Sequence, residues 1–147
     1  MSNSFNILQD KLIIKSKTEN LSFVRDFISS LAQKCGLDSK DTQKIVLAVD
    51  EACTNIIKHA YNFSPDGDIA IHVKCLSDKF IVSIIDNGNR FEPELVPEPN
   101  LKLFQKEKKK GGLGMFLMKK LMDEVYYRNL SDKQNQVELV KYIYHAK

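Results

Sequence analysis

Nothing in this chain approaches the roughly 20 consecutive apolar residues that a membrane-spanning helix requires. The first residues, Met1-Ser2-Asn3-Ser4-Phe5-Asn6, carry neither the basic start nor the apolar block of a signal peptide. A cytoplasmic protein without a membrane partner is expected. Cysteine is scarce, and the three residues present, Cys35, Cys53 and Cys75, show no CxxC spacing. An odd number of widely separated cysteines reads as reduced, mostly buried thiols. His59, His72 and His145 share no ligand spacing, so a Cys/His metal centre is not expected. The net charge of +3 is too small to argue for a polyanionic partner. No aromatic-interleaved basic stripe or nucleic-acid motif is present, and direct nucleic-acid binding is not expected. What remains is 147 residues, 43% hydrophobic and 28% charged, a composition that suits one folded domain over 1–147 with a single core.

Patterning divides the chain without any internal repeat. Residues 5–15 alternate loosely and end in Leu12-Ile13-Ile14, a first strand. Leu21, Val24, Phe27, Ile28 and Leu31 recur at three- and four-residue intervals, which predicts an amphipathic helix over Leu21–Lys34. Cys35-Gly36-Leu37 breaks it, and Asp38 or Ser39 can cap a second helix running from about Asp41 to Tyr61. Ser64-Pro65-Asp66-Gly67 is a turn. Asp68–Leu76 and Lys79–Asp86, joined by Ser77-Asp78, read as a hairpin whose second member is apolar enough to be central. Met115–Met122 is predicted helical, with Met115, Leu117, Met118, Leu121 and Met122 as core, and Glu124–Asn129 with Gln136–Tyr144 as a closing strand pair.

Residues 87–111 break the pattern. Pro93, Pro97 and Pro99 fall here, with Gly88, Gly111 and the basic run Lys102, Lys106, Lys108, Lys109 and Lys110. A structureless stretch of this length inside a domain is usually either functional or a sign of a mistaken element assignment. It reads as a lid with one short helical turn near Leu101–Gln105. Its lysines are either a solvated surface or a loop that meets phosphates or an acidic partner.

Three short segments carry chemistry. On the second helix, at about 100° per residue, Glu51, Asn55, Lys58 and Asn62 fall within roughly 60° of one another. Val46, Val49, Cys53, Ile56, Ile57 and Ala60 form the opposite, packing stripe. A wet polar face explains such a helix, but asparagine is a middling helix former with no advantage there. A Mg-ATP pocket gives it a purpose. The Asn55 amide oxygen is a neutral hard ligand for Mg²⁺. One turn earlier, the Glu51 carboxylate can accept a proton from a hydroxyl aimed at the γ-phosphate.

The second segment is Asp86-Asn87-Gly88-Asn89, at the end of the apolar strand. It is either an ordinary turn or a base-recognition site. In the latter, Asp86 accepts from the adenine 6-amino group and Gly88 lets backbone approach the ring. The third, Gly111-Gly112-Leu113-Gly114-Met115, places backbone N–H groups at a helix start, a ready anion site unless it is only a flexible hinge. It is neither a Walker A loop nor a Rossmann turn.

In this order and spacing the segments resemble the N box, G1 box and G2 box of the GHKL ATPases (gyrase, Hsp90, histidine kinase, MutL). The stretch Ala48-Val49-Asp50-Glu51-Ala52-Cys53-Thr54-Asn55-Ile56-Ile57-Lys58-His59-Ala60-Tyr61 is similar to the Ala-Val-x-Glu-Ala-x-Thr-Asn-x-x-x-His-x-Tyr pattern of the anti-sigma serine kinases of the RsbW and SpoIIAB type. Gly112-Leu113-Gly114 followed by Met122-Asp123-Glu124-Val125 resembles their closing motif. Asn89 stands where the wider family has a further glycine, ahead of Phe91-Glu92-Pro93.

The resemblance implies an α+β fold, a two-layer sandwich with a mixed, mostly antiparallel sheet and helices on one face. It implies Glu51 as catalytic base, Asn55 as the Mg²⁺ ligand, and ATP contacts from Asn55, Lys58, Asp86, Gly88, Gly111, Gly112, Leu113, Gly114 and Met115. Lys58 resembles a basic residue that histidine kinases direct at phosphates, and is otherwise a surface lysine. His59 is expected to pack and hydrogen-bond structurally. The implied function is an ATP-dependent serine/threonine kinase that binds a sigma factor and phosphorylates a small anti-sigma-factor antagonist, as a homodimer. An ATP-binding sequestration module without phosphoryl transfer, or a kinase in a partner-switching system outside sigma control, fits the same motifs. With no phosphoacceptor helix pair, sensor or membrane anchor accompanying them, a complete sensor histidine kinase is not expected; an isolated catalytic fragment of one stays open.

Overall fold

A computed structural model describes residues 5–90 and 112–144, the side chains of 112–115 excepted. The lysine run, the helical turn expected near Leu101–Gln105, Phe91-Glu92-Pro93, Gly111 and nearly all of the expected lid lie outside the described residues, as does His145.

Five strands form one sheet in the order β1-β2-β3-β5-β4. They are β1 (Asn6–Lys15), β2 (Asp68–Leu76), β3 (Lys79–Asp86), β4 (Glu124–Ser131) and β5 (Gln134–Tyr142). All four pairings are antiparallel, so the described sheet shows no mixing. The hairpin has the bounds that its turn chemistry predicts, and β3 is central. Its burial alternates strictly, Phe80, Val82, Ile84 and Asp86 facing inward. Ile69, Ile71, Val73 and Cys75 of β2 and Val137 and Leu139 of β5 supply the neighbouring inward rows. An antiparallel sheet with one buried face gives this period of two.

Helix α1 (Leu21–Lys34) and helix α2 (Ser39–Asn55) pack together over that inner face, and α3 (Gly112–Leu121) packs against α2. Gly36 ends α1 at φ +84, with Gly36 N donating to Gln33 O and Leu37 N to Ala32 O, a Schellman closure. Asp38 is the cap of α2: its Oδ1 accepts from Asp41 N at 2.7 Å. Asp38→Ala is expected to cost about 1 kcal/mol of unfolding free energy, read from the midpoint of a denaturant titration. The core gathers Val24, Ile28, Ile45, Val49, Cys53 and Ile57 from the helices against the inward strand rows. Met118 and Met122 join it as expected, with Leu121 packed alongside, whereas Leu117 is only half-buried.

Two expectations need correction. Cys35, at the end of α1, and Cys75, on β2, have their sulfurs in contact and their Cα atoms 6.4 Å apart, so they are a pair and not two separate thiols. The burial expected of them holds, and Cys53 remains free and buried. The second helix also does not run as one α-helix to Tyr61. After Asn55 it widens into a π-helical turn, Ile56–Ala60, and Asn62 and Phe63 follow at φ 48 and 65. No helix among the described residues is long and apolar enough to cross a membrane.

Candidate nucleotide site

Glu51 and Asn55 stand one turn apart on α2, both half-buried, and neither side chain has a hydrogen-bond or ion-pair partner among the described residues. Neither residue has a buried polar atom left unsatisfied, so the carboxylate and the amide stay open to solvent and free to meet a polar ligand. The opposite face packs as expected: Val49, Cys53, Ile56 and Ile57 are buried, and Val46 and Ala60 lie against the core. The neighbouring Asp50 pairs with Arg25 of α1 at 2.7 Å, fixing this helix against α1.

The shared face does not continue to Lys58 and Asn62. A π turn bonds i to i+5, so angles counted at α-helical pitch fail beyond Asn55. Lys58 is exposed, and Asn62 lies past the helix in a left-handed conformation. His59 is exposed too, with no hydrogen bond among the described residues, which corrects the expectation of a packed, bonded histidine.

The wider turn brings the end of α2 against the Asp86 segment. Asn89 N donates to Ala60 O at 2.7 Å. A Cβ on Gly88 would lie 2.5 Å from Ala60 O, so this glycine is required by the close approach of two backbones. Tyr61 adds a second tie: its hydroxyl donates to Asp68 O at 2.6 Å and accepts from Asn87 N at 2.8 Å. Burial pushes the Tyr61 phenol above its ordinary pKa. Its ring fills the space that a Cβ on Gly67 would need. Tyr61→Phe keeps the ring and removes both bonds, with an expected loss of about 1–2 kcal/mol in an unfolding titration.

Asp86 continues the inward row of β3, where packing alone would favour an apolar residue, and is 3% exposed. Burial raises its pKa, opposed by hydrogen bonds from Asn135 and Gly88. Gly88 N donates to Asp86 Oδ1 at 2.9 Å, and Asn135 Nδ2 donates to the same oxygen at 2.9 Å. Asn135 is the direct cross-strand partner of Asp86 on β5. Sequence reasoning missed it, although its inward parity with Val137 and Leu139 was available as a signal.

Helix α3 begins at Gly112, three residues before the expected Met115, so Gly112-Leu113-Gly114 form its first turn and do not merely precede it. The far end of α3 is pinned to β5. The buried Lys141 donates from Nζ to Leu121 O at 2.9 Å, and Asp123 Oδ2 accepts from Tyr142 N at 2.7 Å. A cation at a helix C-terminus is favourably placed. Among the described residues no cluster of three His, Cys, Asp or Glu side chains could hold a metal alone. The donor set offered by α2 suits a hard cation arriving with phosphates.

A family model described as a histidine kinase-like ATPase domain matches residues 14–141. The chain belongs to that family. Among curated relatives, it is 32% identical to the serine-protein kinase RsbW of Bacillus velezensis, over 97% of this chain and 89% of that protein. It is also 32% identical to the serine-protein kinase RsbW of Listeria monocytogenes, over 92% and 89%. Among solved structures, the RsbU and RsbW domains of Rv1364c from Mycobacterium tuberculosis superpose with a TM-score of 0.65 at 16% identity. That match covers 91% of this chain but 31% of the other, and it speaks to fold alone. The antiparallel sheet covered by helices agrees with the α+β fold that the resemblance implies.

Proposed function

We propose that this chain is a cytoplasmic ATP-dependent serine/threonine protein kinase of the partner-switching type. It would hold a sigma factor and phosphorylate a small antagonist protein, working as a homodimer built from one such domain over 1–147. The observation that carries the reading is the Glu51–Asn55 pair, without partners among the described residues, on a helix whose following π turn meets the segment of the buried Asp86. The RsbW relatives, serine-protein kinases by name and matched over nearly their full length, support it.

Each residue then has a task. Asp86 accepts from the adenine 6-amino group, and the backbone of Gly88 closes over the ring edge. The N–H groups of Gly111, Gly112, Leu113, Gly114 and Met115 would receive phosphate oxygens near the start of α3, and Lys58, exposed on the π turn and off the Glu51–Asn55 face, would have to swing in to meet the same charge. Asn55 would hold Mg²⁺ through its amide oxygen, and the ion when bound supplies neutralisation of phosphate charge. Glu51 takes the proton of the acceptor hydroxyl as its oxygen bonds to the γ-phosphorus, while the bond to the β–γ bridging oxygen breaks and ADP leaves.

The test is incubation with Mg-[γ-³²P]ATP and the antagonist protein. Label recovered as phosphoserine or phosphothreonine is expected, and ATP binding with no label transferred overturns the kinase reading. Glu51→Ala and Asn55→Ala in cells separate chemistry from binding. Partner regulation that survives only the first change would make the protein a sequestration module.

A further inference from the structure

The geometry points to Asn135 as a specificity-determining positioning residue, which fixes Asp86 as a one-sided acceptor and thereby makes the site read a purine 6-amino group. The inference rests on the adenine reading of Asp86 and deepens it.

Asn135 is 7% exposed, and its single amide nitrogen serves both ends of the turn. Nδ2 donates to Asp86 Oδ1 at 2.9 Å and to Asn89 O at 2.8 Å. Both partners are acceptors, so the amide must present its NH₂ group here, and its orientation is not arbitrary. No hydroxyl could do the same, since Ser and Thr have one proton to give. Gly88 N donates to Asp86 Oδ1 as well, at 2.9 Å. One carboxylate oxygen therefore takes two N–H groups, and no described group donates to Oδ2.

Two consequences follow for recognition. A carboxylate held at one oxygen by two donors cannot rotate without breaking both bonds, so Oδ2 keeps one direction. Donors to the ionised form also keep the group an acceptor despite its burial. A fixed acceptor pairs with an exocyclic amine and opposes a carbonyl at the same ring position. Released from Asn135, the buried carboxyl could protonate and rotate, and then offer a hydrogen to a carbonyl. The device lies in β5, about 50 residues from the motif it serves, and Asn89 O links it to the turn that rests on Ala60.

A chemical double-mutant cycle tests this, using ATP, purine riboside triphosphate (hydrogen in place of the 6-amino group) and GTP against the unchanged chain, Asn135→Leu and Asn135→Thr. In the unchanged chain, loss of the 6-amino group is expected to weaken binding roughly 10- to 100-fold. In Asn135→Leu that ratio should fall to within about 3-fold of unity, with GTP gaining relative to ATP. Asn135→Thr, with one donor, should fall between. Tripolyphosphate affinity should not change in either variant.

General loosening of the pocket would weaken ATP and purine riboside triphosphate in parallel, and an unchanged ratio in Asn135→Leu overturns the inference. Failure of the unchanged chain to tell the two nucleotides apart overturns the adenine reading itself. Should both variants unfold by circular dichroism, the side-chain amide protons of Asn135 in the unchanged chain decide. Slow solvent exchange of both supports the two-bond clamp, and exchange at the rate of a free amide overturns it.

Discussion

Asp86→Asn is expected to lower ATP affinity by about 100-fold while leaving the fold intact. The substitution keeps an oxygen for the two N–H groups, Gly88 N and Asn135 Nδ2, that meet Oδ1 at 2.9 Å each. What changes is the other end of the side chain. An NH₂ group would face the adenine amine, replacing an acceptor by a second donor, and two donors cannot bond. Stability should move in the opposite direction. Burial raises the Asp86 pKa in the folded state, so the native protein binds this proton more readily than the unfolded chain does. The burial therefore costs stability that is absent below the unfolded value and grows as pH rises through the folded one. Asparagine removes that cost, and the variant should melt at or above the temperature of the unchanged protein near neutral pH. For the same reason, ATP affinity of the unchanged protein should begin to fall on acidification at a higher pH than an ordinary aspartate would dictate. Calorimetric titration and thermal unfolding of the same preparations check all three results. A variant both unstable and weakly binding would mean that Asp86 is a structural turn residue.

The second large effect falls on turnover. Glu51→Gln is expected to reduce phosphoryl transfer by about 10² to 10⁴-fold, the usual contribution of a positioned general base, with ATP affinity within a few-fold. The side chain is half-buried without a partner among the described residues, so the nearly isosteric amide leaves no broken bond behind. Single-turnover transfer to the antagonist protein, set beside equilibrium ATP binding, separates the two quantities. An equal loss in both would mean that Glu51 shapes the pocket and does not act on a proton.

The parts of the molecule that were legible in advance are those fixed by local pattern. The three- and four-residue spacing in Leu21–Lys34, the Gly36 stop and the Asp38 cap give the helices their limits. Strict alternation and a two-residue turn define the β2–β3 hairpin. Three-dimensional pairing left weaker traces. Lys141 looks like any strand lysine until its inward parity puts its ammonium beneath the last carbonyl of α3. Asn135 reads as a turn amide until the antiparallel register sets it opposite Asp86. The π turn after Asn55 has no residue that demands it; the close seating of Ala60 against Gly88 and Asn89 accompanies it. It displaced Lys58 and Asn62 from a face that helical counting had given them. The contact of Cys35 with Cys75 likewise joins two elements that sequence separates by 40 residues.

The central claim is one nucleotide lying across three segments, with its base at Asp86, its phosphates at the start of α3 and its metal on Asn55. A crystal structure with Mg²⁺ and a non-hydrolysable ATP analogue tests it most directly. The expected result is a 6-amino group within hydrogen-bond distance of Asp86 Oδ2, phosphate oxygens on the N–H groups of Gly112–Gly114, and the Asn55 amide oxygen on the ion. A nucleotide bound elsewhere, or seated with its base away from Asp86, would contradict the account.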